Sequence, residues 1–414
     1  MAVTKLQAPL RPTRRVETAF FSYGFRPFFL GASIYAAFAM SLWLAWIAIH
    51  ALNASLTWIT IAGAPHVWHA HEMVFGFGLA AIAGFLLTAV PNWTGAIPLA
   101  GGPLMILFAV WIAGRMAMVL SAFIPSVAVA TIDLAFIPLL GLHVTHQLFV
   151  RPQPRNMIFL ALLAALFLAN VSYHLSAAQV IDGDPTAGLR AGVLVLTIII
   201  VIIGGRIVPS FTHNYLQQAA PRMKSPLRSA HLDRITLIAT LIFAVLALSS
   251  PNDTAVAVAA GAAALANGAR LAGWRGLATR SSPIVAVLHV GYLWIVIGMT
   301  VWCVASATDL ISEVSALHAL STGAIGTMVL AVMSRASLGH TGRPLVAPAA
   351  ITLAYVMVSL SALLRTFGVT IAPSHYYAVM LTAGLFWVAA FSLFAFVYFP
   401  ILTEPRPTRA ARPA

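Results

Sequence analysis

Residues 66–90, HVWHAHEMVFGFGLAAIAGFLLTAV, place three histidines and a glutamate directly before an apolar run. A membrane helix needs about 20 mostly apolar residues, and this run is long enough. Ionisable side chains near lipid are costly unless they are paired, coordinated or turned toward an interior site. The stretch therefore predicts a transmembrane helix with a polar functional site at one end.

The rest of the chain has the composition of a membrane protein. Of its 414 residues, 61% are hydrophobic and only 8% are charged, whereas soluble domains are roughly half apolar. We predict an all-α polytopic membrane bundle, with residues 1–414 forming a single integral-membrane domain. The predicted spans cover roughly 28–50, 70–90, 103–121, 124–148, 157–178, 189–209, 235–250, 254–272, 284–305, 315–335, 346–366 and 376–400, about twelve in all.

The basic residues are distributed asymmetrically along these spans. With a cytoplasmic N-terminus, 20 of the 23 lysines and arginines fall on the cytoplasmic side, and only Arg115, Arg190 and Arg365 lie toward the other side. This asymmetry is the positive-inside rule, so we predict cytoplasmic N- and C-termini. The net charge of +13 is thereby explained by the lipid bilayer, and we expect no nucleic-acid partner.

One long polar segment interrupts the apolar runs. Residues 210–234, SFTHNYLQQAAPRMKSPLRSAHLDR, are basic and contain prolines. We predict that they form a cytoplasmic loop, which divides the chain into possible halves at 1–209 and 235–400. The single cysteine, Cys303, excludes a four-cysteine iron–sulfur site within the chain, and no C-x-x-C-H sequence is present for covalent haem attachment.

Two predicted spans share a pattern of polar and small residues. In each, a histidine is followed five residues later by a glycine and 23 residues later by a Thr-Gly pair. The histidines are His71 and His318, both at the predicted outer end of their spans. If the pattern is a true repeat, His71 and His318 face one shared site from two helices. The alternative is chance similarity between glycine-rich membrane helices.

The histidine-rich stretch divides into two faces if it is helical. His66, His69 and Glu72 follow one face, whereas His71 points to nearly the opposite side of His69, since two residues turn a helix by about 200°. Imidazole suits haem iron and copper, and a carboxylate can relay protons. We predict His66, His69 and His71 as metal or haem ligands and Glu72 as the catalytic proton carrier. The alternative is an interfacial helix start with solvated histidines.

Further candidates lie on other spans. His174 and His318 fall near the same outer face and are candidate ligands. His289 lies about six residues into the ninth span from the cytoplasmic side, and it is either a cofactor ligand or a buried histidine bonded to backbone. Arg26 and Arg206 stand beside glycine and proline at helix ends. They are either anchors at the membrane surface or partners of haem propionates.

Two charged residues inside adjacent spans are expected to pair. Arg115 lies near the outer end of the third span and Asp133 near the start of the fourth, with a short loop between them. Buried charges in a bilayer are paired with one another as a rule. We predict an ion pair here in preference to a direct catalytic role.

Long segments of the chain resemble the NnrS family of bacterial inner-membrane proteins. The resemblance rests on SYGFRPFFLG (22–31), WHAHEMVFGFGLAAIAGFLLTAVPNWTG (68–95), GGRIVPSFT (204–212) and ALHALSTGAIGTMVLAVMSRASLGHTGRPL (316–345). It implies a multi-pass protein of the inner (cytoplasmic) membrane that contains haem b and copper. It also implies a role linked to nitric oxide, denitrification and relief of nitrosative stress, without an agreed reaction.

Three functional hypotheses follow. The first is a haem-dependent, nitric oxide reductase-like oxidoreductase, whose electrons come from a quinol or another membrane donor and whose histidine-lined site lies near the periplasmic side. The second is a transporter of a metal ion or a nitrosylated iron species, because twelve spans in two halves also describe a carrier. The third is a sensor or haem-trafficking protein, against which the absence of a predicted soluble signalling domain counts.

Overall fold

The structure, a computed structural model, describes residues 19–54, 60–249 and 252–407. Within these ranges all regular structure is helical, and the predicted all-α membrane bundle with twelve long apolar helices is confirmed. The twelve helices are α1 (Phe25–Ala51), α2 (Pro65–Thr94), α3 (Gly101–Val119), α4 (Ser126–Val150), α5 (Pro154–Ala177), α6 (Thr186–Ala219), α7 (Ala230–Ser249), α8 (Asp253–Ala272), α9 (Pro283–Ala307), α10 (Glu313–His340), α11 (Ala349–Ile371) and α12 (Pro373–Thr403).

Four of these helices form the centre of the bundle. The most apolar window of α2, α6, α9 and α10 is 83%, 72%, 67% and 78% buried, against 28–44% for the other eight. Helices that are apolar on all sides are buried in this way, whereas the outer helices present one side to lipid. The first helix, α1, packs along the last, α12, so the outer helices enclose the central ones.

Helices α2 and α10 change from α- to π-helical geometry at matching positions. In α2 the π segment Glu72–Gly78 begins directly after His71, and in α10 the π segment Ala319–Gly326 begins directly after His318. A third π segment, Leu364–Gly368, lies in α11. Such segments are rare and occur frequently at functional sites. Their positions indicate a candidate functional site in the halves of these three helices that are predicted to face the periplasm.

The glycine five residues after His71, and the one five residues after His318, each allow an aromatic ring to pack closely against the helix. A Cβ atom on Gly76 would lie 2.6 Å from Cε1 of Tyr35 in α1, and one on Gly323 would lie 2.5 Å from Cδ2 of Trp294 in α9. Both separations are far below van der Waals contact. Glycine is therefore required at these positions because the neighbouring rings occupy the space of a side chain.

The same two helices also end alike. The Thr94 hydroxyl donates to the carbonyl oxygen of Val90 at 2.9 Å, and the Thr341 hydroxyl donates to that of Ser337 at 2.6 Å. Gly95 (φ +76°) and Gly342 (φ +72°) follow in the left-handed region, a conformation that glycine adopts without strain. The repeated pattern seen in the sequence thus corresponds to a repeated helix structure.

The predicted loop at 210–234 is shorter than expected. Helix α6 continues to Ala219 and α7 begins at Ala230, so only residues 220–229 connect them. No proline or glycine occurs between Pro209 and Pro221, and Pro209 is itself inside the helix, so nothing stops α6 before Pro221. The backbone N–H of Leu227 donates to the carbonyl of Gly273 at 2.9 Å, which holds the connection against the end of α8. The division into halves stays a prediction.

Candidate functional site

A cavity of about 510 Å³ lies in the half of the bundle predicted to be periplasmic. Its walls come from α1, α2, α6, α10, α11 and α12, and all three π segments contribute to them. We call it the histidine cavity, because His66, His69 and His318 line it. The remaining walls are largely apolar, with Trp43 and Trp387 among them. A cavity of this size fits a drug-sized organic ligand or cofactor.

The ring of His318 is held in one tautomer. Its Nδ1 lies 2.7 Å from the carbonyl oxygen of Val314, one turn earlier in α10. A carbonyl can only accept, so Nδ1 is the donor. In the neutral ring the lone pair then lies on Nε2, the atom that binds metal when Nδ1 is fixed by an acceptor.

His69 is a second histidine in the cavity wall, and one of its ring nitrogens has no hydrogen-bond partner among the described residues. Its ring stacks on Trp43 with centroids 5.0 Å apart, and Trp43 stacks in turn on Trp46 at 5.0 Å. The Nδ1 atom of His69 is buried and has no hydrogen-bond partner among the residues that the structure describes. Because a buried polar atom without a partner is costly, this atom is suited to a bound ligand.

Charged groups surround the cavity. Arg190 and Glu313 form an ion pair of 2.7 Å at its wall, with both side chains partly exposed. Thr186, the first residue of α6, also belongs to the cavity wall, and its hydroxyl and backbone N–H donate to Asp184, which lies outside the lining. These hydrogen bonds lower the pKa of the Asp184 carboxyl. Arg365 lines the cavity from the π segment of α11 and forms no ion pair in the described part of the chain. The histidine cavity therefore contains an unpaired cation.

A second polar site, the ionic cluster, lies on the other side of α2. At its centre is Glu72, which has no exposed surface. The Arg115 guanidinium donates through Nη1 to Glu72 Oε1 and Oε2 at 2.6 and 2.7 Å, and the Tyr35 hydroxyl also donates to Oε2. Arg115 Nη2 donates to Asp133, so the predicted Arg115–Asp133 ion pair is confirmed and has an additional partner in Glu72.

Two histidines and an asparagine complete the ionic cluster. Asn170 donates through Nδ2 to Asp133 Oδ2 at 2.8 Å, and its Oδ1 lies 2.9 Å from His71 Nε2. The other ring nitrogen of His71 lies 2.7 Å from Glu72 Oε1. His174 Nε2 lies 2.9 Å from Asp133 Oδ2. Ligand atoms of His71, Asp133 and His174 all lie within 4.8 Å of one another, as in a metal site.

The hydrogen bonds around His71 favour a charged ring. Asn170 presents its carbonyl oxygen and Glu72 a carboxylate oxygen, so each nitrogen of His71 faces an acceptor, an arrangement that suits a proton on both. Glu72 and Asp133 contribute two negative charges and Arg115 one positive charge, leaving −1. Imidazolium at His71 would bring the sum to zero, and buried charges in a membrane protein are paired as a rule.

The two faces of the histidine-rich stretch are only partly as predicted. His69 lines the cavity and His71 lies in the ionic cluster, on opposite sides of α2 as helical geometry requires. Glu72 was expected to share a face with His66 and His69, and this was wrong. The α-helix ends at His71 and π geometry begins at Glu72, which alters the angle between successive residues, and Arg115 draws the carboxylate to the other side.

The expectation that His71 and His318 face one shared site was also wrong. His318 lines the histidine cavity and His71 does not. Although the two helices have the same structure, His71 faces Asn170 of α5, whereas His318 faces the cavity. The histidines of α2 that share the cavity with His318 are His66 and His69.

Three other predicted residues lie away from the cavity. His289 Nε2 lies 2.8 Å from the Thr212 hydroxyl on the predicted cytoplasmic side, and its buried Nδ1 has no partner among the described residues. Arg26 donates through Nη1 to the carbonyls of Leu402 and Glu404 at 3.0 and 2.7 Å, which caps the end of α12. Arg206 lines a different pocket. Binding of a cofactor by any of them stays a prediction.

Sequence analysis missed the roles of Arg190 and Arg365, although it contained a signal for them. Arg115, Arg190 and Arg365 are the three arginines that do not follow the positive-inside distribution. In the structure Arg115 belongs to the ionic cluster and the other two line the histidine cavity. Charged residues within membrane helices generally face the interior of the bundle and pair with a partner there. The three arginines on the predicted periplasmic side therefore indicated a polar site on that side.

Residues 19–406 match the model of the NnrS family, described as NnrS protein. No curated protein sequence matches the chain at a significant level.

Proposed function

The chain belongs to the NnrS family, and from this premise we propose that it binds haem b in the histidine cavity and acts on nitric oxide in nitrosative-stress protection. The observation that carries this proposal is the pair of histidines in one cavity. His318 presents an Nε2 lone pair because Val314 fixes its Nδ1. His69 has a buried nitrogen without a partner. Both donors are of the type that holds haem iron.

The charges of the cavity support the same occupant. Haem is an apolar plate with two carboxylates, and the cavity combines apolar walls with the unpaired guanidinium of Arg365. Arg190, at the cavity wall beside Glu313, is a second candidate. Guanidinium groups bind carboxylates through two parallel hydrogen bonds. We therefore assign Arg365 and Arg190 to the propionates, in place of Arg26 and Arg206.

The chain's own residues would provide the environment for the reaction. Haem bound here would supply an iron with a position at which nitric oxide can bind. The Trp43 ring holds the plane of His69, and the apolar walls around His69 and His318 keep water from the site. Nitric oxide is small and apolar, so it reaches a site within the bundle from the lipid phase without a polar tunnel.

The ionic cluster is the proposed copper site. His71, Asp133 and His174 offer two imidazoles and a carboxylate within 4.8 Å. Because the cluster without the His71 proton has a charge of −1, His71 would release its proton when a monovalent copper ion binds, and the site would stay neutral. Imidazole is a suitable ligand for copper. A buried site of this charge favours Cu(I) over a divalent ion.

Glu72 is the proposed proton carrier. It shares hydrogen bonds with Tyr35 and His71, two groups that can exchange a proton with a carboxylate. Reduction of nitric oxide consumes protons and electrons, and a quinol or another membrane donor would supply the electrons. The protein would then be a haem-dependent oxidoreductase of the inner membrane with the cavity on its periplasmic side.

The proposal is tested on protein purified from a host with adequate haem supply. We expect a dithionite-reduced spectrum typical of b-type haem that shifts when nitric oxide is added. Membranes containing the protein and an electron donor should also consume nitric oxide faster than membranes without it, which separates turnover from binding. Purified protein that contains no haem would contradict the proposal. If proteoliposomes prepared with this haem-free protein take up metal, the result would support a transporter instead.

A further inference from the structure

A second polar pocket lies on the opposite, predicted cytoplasmic face of the bundle. It has a volume of about 380 Å³ and lies among the ends of α2, α5, α6, α7 and α8. We call it the arginine pocket, because Arg155, Arg206 and Arg228 line it. Asp233 is the one acidic residue in its lining, and its Oδ1 accepts a hydrogen bond of 2.7 Å from Arg270 Nε. The lining therefore has an excess of positive charge.

Arg206 is held in place by several independent contacts. Its guanidinium lies over the rings of Trp93 and Phe159, 5.9 and 5.6 Å from their centroids. Nη1 donates to Asn156 Oδ1 at 3.1 Å, and Nη2 donates to the backbone carbonyl of Arg155 at 2.6 Å. These contacts turn Arg206 inward and leave its remaining N–H groups available. An arginine that only anchored the helix at the membrane surface would extend toward the lipid head groups instead.

The connection between α6 and α7 brings Arg228 to the same pocket. Leu227 is bonded to the backbone of Gly273, as described above, and Arg275 Nε donates to the carbonyl of Ser225 at 3.3 Å. Arg228 Nη2 donates to the Ser210 hydroxyl of α6 at 2.8 Å. These three hydrogen bonds hold the segment before α7 against α6 and against the residues that follow α8. They therefore define the position from which Arg228 lines the pocket.

The arrangement of like charges indicates what the pocket binds. Arg155 and Arg206 line the same pocket and are in direct contact through the bond from Arg206 to the Arg155 carbonyl. Their positive charges repel each other, and arginine cannot relieve this repulsion by losing a proton. An anion between the guanidinium groups removes the repulsion and accepts their hydrogen bonds. Phosphate suits such groups best, because its oxygens match the forked geometry of arginine.

We propose that the arginine pocket binds a phosphate group, carried either by the head group of an anionic phospholipid or by a soluble molecule. This site is separate from the histidine cavity and does not depend on the function proposed for it. The pocket lies on the face that anionic lipids of the cytoplasmic leaflet would reach. Arg155 and Arg228 in its lining are exposed, so a soluble molecule can also reach them.

The test is native mass spectrometry of the full chain in detergent, with phosphatidylglycerol, phosphatidylcholine and inorganic pyrophosphate as probes. We expect the protein to retain phosphatidylglycerol or pyrophosphate and to release phosphatidylcholine. Retention of phosphatidylglycerol alone would identify a lipid head group as the source of the phosphate in the pocket, and retention of pyrophosphate would identify a soluble molecule. R206Q and R228Q should each reduce retention about tenfold, which corresponds to the loss of one charge-assisted contact.

R222Q is the matched control, since Arg222 is an exposed arginine of the same connection and does not line the pocket. If R206Q does not fold, R228Q alone decides, because Arg228 is exposed and its one side-chain hydrogen bond within the described residues is to Ser210. Retention of neither anionic probe above phosphatidylcholine would overturn the proposal. So would equal retention by R228Q and R222Q.

Discussion

His69 and His71 lie two residues apart on α2 and belong to different sites on opposite sides of that helix. His69 lines the histidine cavity and stacks on Trp43, whereas His71 is enclosed between Glu72 and Asn170 in the ionic cluster. One helix therefore separates two groups of potential ligands. Removing either histidine should affect one site and leave the other intact.

Loss of the cavity histidines should remove haem. We expect His69→Ala and His318→Ala to lower the haem-to-protein ratio at least about tenfold, because even the partners of a ligating histidine contribute 10- to 100-fold to metal affinity. The measurement is the haem content of purified protein. His375→Ala is the control, since His375 is exposed at the start of α12, does not line the cavity and bonds Ser374 at 3.0 Å. Unchanged haem in both cavity variants would show that the ligands lie elsewhere.

Copper binding should depend on His174 and on pH. We expect His174→Ala to lose copper and to keep haem, because His174 contacts Asp133 and does not line the cavity. Copper must displace the proton of His71, so its affinity should rise about tenfold per pH unit wherever His71 is protonated in the metal-free protein.

The measurement is copper content by elemental analysis and affinity by competition with a chelator between pH 6 and 8, roughly the working range of histidine. His213→Ala is the control, since His213 is partly exposed, bonds Ser225 and lies outside the ionic cluster. Copper that stays bound in His174→Ala, or an affinity independent of pH, would argue against the ionic cluster as its site.

Arg115 should contribute strongly to the stability of the folded protein. Arg115→Met leaves Glu72 and Asp133 facing each other with only His71 to compensate, and removal of one partner from a buried ion pair costs about 3–5 kcal/mol. We expect a clear fall in melting temperature in detergent. Adding Glu72→Gln to Arg115→Met restores neutrality and should recover part of the loss. Arg280→Met, at an exposed loop position, should have little effect; a double variant no more stable than Arg115→Met would contradict the charge argument.

The glycine of the π segment in α10 should not tolerate a side chain. Gly323→Ala introduces a Cβ 2.5 Å from Trp294, and such overpacking costs about 1–3 kcal/mol. Gly141→Ala is the matched control, because no atom lies within 4 Å of the Cβ that it adds to α4. We expect Gly141→Ala to keep or raise the melting temperature, since alanine favours a helix over glycine by up to about 1 kcal/mol. Equal effects of the two substitutions would exclude close ring packing as the reason for Gly323.

The amino-acid sequence by itself determined the architecture. Twelve apolar runs specify twelve helices, because the backbone can satisfy its hydrogen bonds in a bilayer only within each helix. The spacing of histidine, glycine and Thr-Gly in α2 and α10 was likewise visible, since it is a local pattern with a local structural meaning. Even the arginines of the site were marked by their position against the positive-inside distribution.

The tertiary structure alone decided which of these residues meet. The π segment at Glu72 changes the direction of its side chain, and the carboxylate then bonds Arg115, 43 residues away in the chain. His71 and His318 have matching positions but different neighbours, because α5 packs against one and the cavity lies beside the other. Contacts between helices depend on how the bundle is assembled, and no spacing within one helix contains that information.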